Sequence, residues 1–207
     1  MKKIIIIGAG SFGHEVAEYI CDINNYDINL KNVIAFLDDH IQTKIENTSW
    51  PIIGSLDSYQ KCEGDVFVIA YGDPKLRQKA LDKIEKKSWE LATIVHPTAY
   101  ISKYASISAG SIICPFAIVG FRAHIKKNVL MNSYSAAGHH SEIGGSSVLC
   151  PKSLIAGKSI VGSQSFIGSG AIVTPGKNIG KSSSIGALSV VYRNVKDGSF
   201  IIGNPAK

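Results

Sequence analysis

The hydrophobic residues of the C-terminal half recur at every sixth position. Sixteen successive positions in this register are apolar, and the residue two positions before each is small except at Val129 and Lys177. An α-helix repeats roughly every 3.6 residues and a β-strand about every two, so neither produces a strict period of six. The register ends where Asp197 occupies the next position. The apolar positions are Ile101, Ile107, Ile113, Val119, Ile125, Met131, Ala137, Ile143, Leu149, Ile155, Val161, Ile167, Val173, Ile179, Ile185 and Val191.

A period of six predicts a triangular coil. Three hexads make one turn of about 18 residues, in which the aliphatic residue fills the axis and the small residue fits beneath it. Residues one turn apart then stack about 4.8 Å apart, as neighbouring strands of a sheet do. We expect glycines such as Gly120, Gly138 and Gly144 to form the corners. Residues 96–207 are therefore predicted to form an all-β, left-handed parallel β-helix.

Residues 1–95 follow a different pattern, in which short apolar runs alternate with helical stretches. It predicts strands at residues 2–7, 33–37, 66–70 and 91–94, and helices at residues 14–21 and 74–86. This β-α-β order is typical of a parallel sheet that binds ligands at the carboxyl ends of its strands. We therefore predict an α/β, Rossmann-like half domain before the β-helix.

A glycine-rich loop follows the first predicted strand. Residues 8–13 read GAGSFG, which matches G-x-G-x-x-G, and Asp38 stands near the place of the acidic residue that follows this motif by about 20 residues. A nicotinamide site is one interpretation, although only one mononucleotide-binding half is present. A tight strand–helix turn without ligand is a second. The pattern favours a third, in which the loop N–H groups hold a nucleotide diphosphate and Asp38 or Asp39 reaches a sugar hydroxyl or a base.

Charge divides the two halves of the chain. Residues 96–207 carry a net charge of +9, with Glu142 and Asp197 as their only acids, whereas residues 1–95 carry −3. This excess predicts an anionic partner for the β-helix, such as a phosphate-rich cofactor. Nucleic acid is disfavoured because the basic residues lack interleaved aromatic residues.

No apolar run approaches the roughly 18 residues of a membrane span, and the four cysteines show no C-x-x-C spacing. We expect a cytoplasmic protein with reduced thiols.

Three motifs together resemble a known family. They are the GAGSFG loop with FLDD at residues 36–39, a β-helix with a Gly-His pair at residues 138–139, and GNPAK at residues 203–207. The chain resembles, over essentially its whole length, the sialic-acid O-acetyltransferase type of sugar acetyltransferase. That family includes N-acetyltransferases of UDP- and dTDP-linked amino sugars. The resemblance implies acetyl-CoA as co-substrate, a nucleotide-sugar acceptor, a role in surface-glycan synthesis, and a homotrimer with active sites between subunits.

The resemblance also assigns roles to individual residues. It implies that His139 is the general base and that no metal is used. Its substrate contacts correspond to Gly10, Ser11, Phe12, Asp38, Asp39 and Gly72. Its pantetheine contacts correspond to Ser169 and Ala187, with Lys158, Arg193 and Lys207 as phosphate partners. The chain departs from the family at three places. His140 stands where an acid usually follows the base, and Val148 stands where some relatives have a histidine that touches the cofactor. His14-Glu15 replaces a basic residue often found near the glycine loop.

The three-hexad register adds Gly157 to this site. Because Gly157 lies one coil beyond His139, its N–H should lie near the histidine and bind the thioester oxygen. Glu142 is a candidate to orient His139, or else a solvated surface acid. His140 points outward or binds the substrate. A zinc site at His124, His139 and His140 is disfavoured, because adjacent histidines do not easily share one ion.

Three functions fit these features. Amino-sugar N-acetylation is the leading hypothesis. O-acetylation of a sugar hydroxyl is the nearest alternative, because the same base serves both acceptors. A binding module with a degenerate site is the third, and the presence of both His139 and Gly157 argues against it.

Overall fold

The computed structural model describes residues 3–26, 33–39 and 50–207. The N-terminal part is a parallel sheet of order β2-β1-β3 with two helices, which confirms the predicted α/β half domain. Lys2, the predicted start of the first strand, lies outside the described residues. The elements are β1 (Lys3–Ile7), α1 (Ser11–Tyr26), β2 (Val33–Leu37), β3 (Asp65–Ile69) and α2 (Pro74–Lys86).

The first helix is longer than predicted. It spans Ser11–Tyr26 rather than residues 14–21, so it includes the last glycine of the loop. A Cβ on Gly13 would overlap the carbonyl oxygen of Gly8. Gly13 therefore lies inside the helix because only glycine lets α1 approach the end of β1 so closely.

The predicted fourth strand is divided between the edge of the N-terminal sheet and the β-helix. Leu91 forms an isolated bridge with Phe67. Ile94–Val95 pairs with Ile112–Ile113, inside the β-helix. The β-helix thus begins two residues before the predicted boundary at residue 96.

Parallel two-residue strands form the three sides of the β-helix, and the fold prediction is confirmed. Each strand pairs with the strand one coil later, as Leu130 does with Val148. The side of the β-helix that packs against the N-terminal part is called the docked face. It contains β4 (Ile94–Val95), β7 (Ile112–Ile113), β10 (Leu130–Met131), β13 (Val148–Leu149), β16 (Phe166–Ile167), β19 (Ser184–Ile185) and β21 (Phe200–Ile201). The apolar face contains β5 (Tyr100–Ile101), β8 (Ile118–Val119), β11 (Ala136–Ala137), β14 (Leu154–Ile155), β17 (Ile172–Val173) and β20 (Val190–Val191). The polar face contains β6 (Ser106–Ile107), β9 (His124–Ile125), β12 (Glu142–Ile143), β15 (Ile160–Val161) and β18 (Asn178–Ile179).

The last coil is shorter than the others. Ile185 pairs with Ile201 and Ile179 bridges to Val195, so each partner comes two positions earlier than the register predicts. Val195 and Ile201 pack against the axial core in place of the missing register positions. Asp197 is thereby moved out of the core, and its Oδ1 accepts a hydrogen bond from the Lys181 N–H at 2.8 Å.

The corners are built differently from the prediction. The left-handed residue of each corner is usually not glycine; Arg122 and His140 are examples, with φ of 52° and 58°. Gly138 has another role, because a Cβ there would lie 2.8 Å from the N atom of Gly157 in the next coil. Such glycines permit close stacking of coils rather than the corner itself.

The two parts of the chain pack against each other through α1 and α2. Side chains of α1 and of the docked face share one buried cluster, which includes Val16 and Leu130. Arg77 of α2 is fully buried, and all five of its N–H groups donate to oxygens of Asn128, Ile69 and Tyr71 at 2.7–3.1 Å. A buried guanidinium with every donor satisfied holds α2 on the β-helix.

His96 joins the two parts of the chain at the start of the β-helix. It is buried, and its Nε2 lies 3.1 Å from Asp22 Oδ2 on α1. Within the described ranges, no helix is long and apolar enough to cross a membrane.

Candidate active site

His139 and His140 lie on the corner between the apolar face and the polar face. The backbone N–H of His140 donates to Phe121 O in the preceding coil, and Lys158 N–H donates to His139 O from the following coil, both at 2.8 Å. Both imidazole rings are exposed. We call residues His139, His140, Gly157 and Lys158 the histidine corner. Its backbone is fixed by these hydrogen bonds, and its two imidazole rings are accessible.

The ring of His139 lies directly over Gly157. A Cβ built on Gly157 would overlap the ring, and its three nearest atoms are Nε2, Cε1 and Cδ2 of His139. The register of the coils therefore brings these two residues together, as expected from their spacing. Gly157 has no other reason to be glycine, because Ser163, Ser169 and Ala187 occupy equivalent corner positions.

The N–H of Gly157 is available to a ligand. Within the described part of the chain it donates no hydrogen bond, and the same holds for the equivalent N–H groups of Phe121 and His139. At Gly157 this donor belongs to the residue over which the His139 imidazole lies. A proton acceptor and a donor for an oxyanion therefore lie side by side, the pair of groups that acyl transfer requires.

His140 is the hydrogen-bond partner of His139. Their Nδ1 atoms are 3.2 Å apart and their rings are nearly perpendicular, at 84°. Loss of hydration, followed by repulsion from the positive charges around it, lowers the pKa of His140 below its ordinary value. The neutral imidazole is thus the favoured form of His140.

Glu142 does not reach His139. Its Oε1 lies 3.5 Å from Lys126 Nζ, one coil in the N-terminal direction, whereas the His139 ring extends toward Gly157 in the C-terminal direction. The two side chains diverge because Glu142 is the outward residue of a polar-face strand. The hypothesis that Glu142 orients the base gains no support within one chain, and the surface-acid alternative describes its position.

The three histidines considered for zinc do not converge. His124 Nδ1 lies 2.7 Å from Ser106 Oγ on the polar face. Among the described residues, no group of three or more His, Cys, Asp or Glu side chains is arranged to hold a metal ion. Val148, at the position where some relatives have a histidine that touches the cofactor, is buried beneath the N-terminal part.

The predicted cofactor residues lie on two different corners. Ser169 and Ala187 are exposed and stack one coil apart, with Leu188 N–H donating to Ser169 O at 2.9 Å. Their corner joins the docked face to the apolar face, so the whole apolar face separates it from Lys158 at the histidine corner. One chain alone therefore does not bring the two groups together.

Basic residues gather at the C-terminal end of the β-helix. Arg193, Lys196 and Lys207 line a cavity of about 260 Å³ there. Lys207 and Arg193 therefore lie at one cavity, and the role of both as phosphate partners remains a prediction.

The fold requires Gly8 and Gly13 of the glycine loop to be glycine, but not Gly10. Gly8 has φ of 104° and a Cβ there would lie 2.8 Å from the Tyr71 ring, while Gly13 is needed for helix packing. Gly10 and Gly72, by contrast, have no atom within 4 Å of an added Cβ. The interpretation as a structural turn explains Gly8 and Gly13 only. Open space over Gly10 and Gly72 is suited to a ligand at the carboxyl ends of β1 and β3.

The predicted substrate residues meet at this edge of the sheet. Asp38 Oδ2 accepts a hydrogen bond from the Ala9 N–H at 2.7 Å, which ties β2 to the glycine loop. Asp39 Oδ1 accepts from Leu56 N–H at 3.1 Å. Ser11 is exposed at the start of α1, and Phe12 is half-buried against the core.

The sequence did not single out Tyr71, Lys79 and Lys83, which share a cavity of about 190 Å³ with Asp39. Burial, and then the nearby carboxylates of Asp38 and Asp39, raise the pKa of Tyr71 to about 12. The lysines lie one turn apart on α2, and that spacing was the only available signal.

The chain is a hexapeptide-repeat β-helix of three-hexad coils, joined to an α/β domain with a glycine loop. In it a histidine lies over a glycine of the next coil. Residues 3–84 match the family model of the PglD N-terminal domain. GDP-perosamine N-acetyltransferase of Escherichia coli O157:H7 is 28% identical over 148 residues, which are 70% of this chain. The aligned region covers 66% of that protein, slightly less than two-thirds.

Two solved structures are similar over the whole chain. The acetyltransferase domain of PglB from Neisseria gonorrhoeae FA1090, in complex with acetyl coenzyme A, has a TM-score of 0.90 at 28% identity and covers 100% of this chain and 98% of that one. A variant of perosamine N-acetyltransferase from Caulobacter crescentus, in complex with CoA and GDP-perosamine, has a TM-score of 0.91 at 26% identity and covers 100% and 96%. These similarities confirm the resemblance to the sialic-acid O-acetyltransferase type of hexapeptide-repeat sugar acetyltransferases.

Proposed function

We propose that this chain transfers the acetyl group of acetyl-CoA to the amine of a nucleotide-linked amino sugar. The observation that carries the proposal is the His139 ring over Gly157, with an N–H beside it that no other described group uses. The relatives support the donor and the acceptor, since their structures hold acetyl-CoA, or CoA with GDP-perosamine. The surface-glycan role follows from the same family.

In the proposed reaction the sugar amine attacks the thioester carbonyl. His139 Nε2 takes the proton of the amine, and the N–H of Gly157 binds the oxyanion that forms on the carbonyl oxygen. Collapse of this intermediate breaks the C–S bond, forms the amide and releases CoA. The proton on His139 passes to the leaving sulfur, which restores the neutral base. Each step uses groups that already lie side by side in the histidine corner.

The nucleotide part of the acceptor is proposed to bind at Gly10, Ser11, Phe12, Asp38, Asp39 and Gly72. The open space over the loop and the nearby lysines of α2 suit a diphosphate. A GDP-linked sugar joins the UDP- and dTDP-linked candidates, because the relatives include a GDP-perosamine and a UDP-N-acetylbacillosamine N-acetyltransferase.

The proposed activity has a direct assay. We expect release of CoA thiol from acetyl-CoA with at least one GDP-, UDP- or dTDP-linked amino sugar, and gain of one acetyl group in the product by mass spectrometry. The matching hydroxy sugars are expected to be inert, and acetylation of these alone would favour the O-acetyltransferase alternative. A ligand at 100 times its Kd stabilises the folded chain by about 2.7 kcal/mol, so a thermal-shift screen identifies the nucleotide first. The proposal would be refuted if none of these sugars stabilised the chain and none led to release of CoA thiol.

A homotrimer is proposed to complete the site. The outward residues of the apolar face, from Tyr100 through Leu154 to Val190, are all apolar, and Tyr100 is 64% exposed. The histidine corner and the Ser169 corner border this face on opposite edges. Cyclic packing of copies on the apolar face places one edge of each copy against the other edge of its neighbour. Acetyl-CoA would then lie between His139 of one subunit and Ser169 of the next.

Glutamate substitutions on two faces test the trimer. Leu154 and Ile160 are outward aliphatic residues of the same coil, 39% and 44% exposed, on the apolar and the polar face respectively. We expect Leu154→Glu to shift the protein from trimer to monomer in sedimentation velocity, with loss of activity, because it places charges in an apolar interface. Ile160→Glu is the matched control and should remain trimeric. A Leu154→Glu variant that is still trimeric would place the interface elsewhere.

A further inference from the structure

The hydrogen bond between the two histidines contains a single shared proton when both rings are neutral. Nδ1 of His139 and Nδ1 of His140 are 3.2 Å apart. One nitrogen must donate and the other must accept, because two N–H groups or two lone pairs would repel. The chemical state of His140 therefore determines which nitrogen of His139 is free to act as a base.

The contact is held in place from several sides. His140 has a left-handed backbone, with φ of 58°, which sets the direction of its Cα–Cβ bond at the corner. Its ring contacts the Phe121 ring edge to face, at 5.5 Å between centroids. Phe121 is in turn held by Tyr104, at 5.1 Å, and by the guanidinium of Arg122, at 5.2 Å. A row of packed rings thus supports His140 beside His139.

We propose that His140 is a positioning residue, which accepts a hydrogen bond from Nδ1–H of His139 and so leaves Nε2 over Gly157 unprotonated. This inference rests on the proposed acetyl transfer, in which Nε2 is the base. Reversal of the hydrogen bond puts the proton on Nε2, where it blocks the reaction. When Nε2 has taken a proton from the amine, Nδ1–H still donates to neutral His140, so the bond persists through the proton transfer.

The surroundings of His140 favour the neutral form that this role requires. Four groups that carry or can acquire positive charge act on it: His139, Arg122 from the preceding coil, Lys158 from the following coil, and His124. Together with loss of hydration they lower the pKa of His140, so protonation is postponed to more acidic pH. A protonated His140 could only donate, and it would impose the unreactive tautomer on His139.

Nitrogen NMR of the full-length, 15N-labelled chain tests the tautomer without any substrate. In the wild type, His139 is expected to show a protonated Nδ1 and an unprotonated Nε2 at neutral pH. In His140→Phe we expect a mixture of both tautomers, because the acceptor is gone. The corner tolerates phenylalanine, since Phe116 has the equivalent left-handed conformation, with φ of 59°. A wild-type His139 protonated at Nε2 would overturn the proposal, whether or not the chain acetylates sugars.

Kinetics then separate positioning from substrate binding. We expect His140→Phe to lower kcat about tenfold or more with little change in KM for the sugar nucleotide, as loss of a partner that orients a histidine does. His140→Asp should restore much of kcat and move the acid limb of the kcat/KM profile to higher pH, because a carboxylate favours the imidazolium. Gln164→Phe, at an equivalent left-handed position with φ of 56°, is the control for the corner itself. A raised KM with unchanged kcat would instead assign His140 to the substrate.

Discussion

Replacement of His139 by alanine is expected to lower the rate of acetyl transfer by about 10²–10⁴-fold, the usual contribution of a general base. The ring lies over Gly157, whose N–H donates no hydrogen bond to any described residue. The ring is exposed, so the melting temperature and the Kd for CoA should change little. Steady-state rates and calorimetric titration with CoA provide the measurements.

His124→Ala is the matched control for that substitution. His124 is an exposed histidine one coil earlier on the polar face, hydrogen-bonded to Ser106 rather than to His139. Its removal is expected to leave kcat close to that of the wild type. Comparable rates for His139→Ala and the wild type, measured under conditions where chemistry limits the rate, would exclude His139 as the base.

Gly157→Ala is expected to lower kcat about 10²–10³-fold, as much as the loss of one oxyanion donor, although the backbone N–H remains. The added methyl group would overlap Nε2 and Cε1 of His139. The ring must then move, so both the base and the approach to the Gly157 N–H are disturbed by a single carbon atom. The backbone itself accepts the change, because Ser169 and Ala187 occupy equivalent corner positions.

A double-mutant cycle separates this clash from a general defect in folding. Without the His139 ring, the methyl group of Gly157→Ala has room, so adding Gly157→Ala to His139→Ala should not lower the melting temperature further. Added to the wild type, the same substitution should lower it slightly. Equal losses of stability in both backgrounds would mean that Gly157 is required by the coil rather than by the site.

Much of the fold could be predicted from the sequence, because a period of six leaves few alternatives. The axial positions from Ile113 to Val191 are buried, and the pairing of Leu130 with Val148 follows from a coil of three hexads. The same arithmetic placed Gly157 beside His139. Where the pattern changes, arithmetic no longer applies, so the shortened last coil, in which Ile185 pairs with Ile201, became visible only in the structure.

The directions of side chains could not be predicted in this way. Periodicity assigns a residue to a corner or a strand, but it does not say whether a ring turns toward the preceding or the following coil. Glu142 was therefore a reasonable candidate to orient the base, and only the structure shows it with Lys126, while His140 contacts His139. The candidate base was thus in the sequence, and its hydrogen-bond partner was not.

Relations between distant parts of the chain were decided by tertiary structure alone. The sequence determined that the coils of the β-helix before the last contain three hexads and that the loop at Gly10 follows a strand. The buried Arg77 joins α2 to Asn128, 51 residues away, and no local pattern encodes such a contact. The physical reason is that periodicity reflects which positions are buried, whereas docking depends on which surfaces fit together.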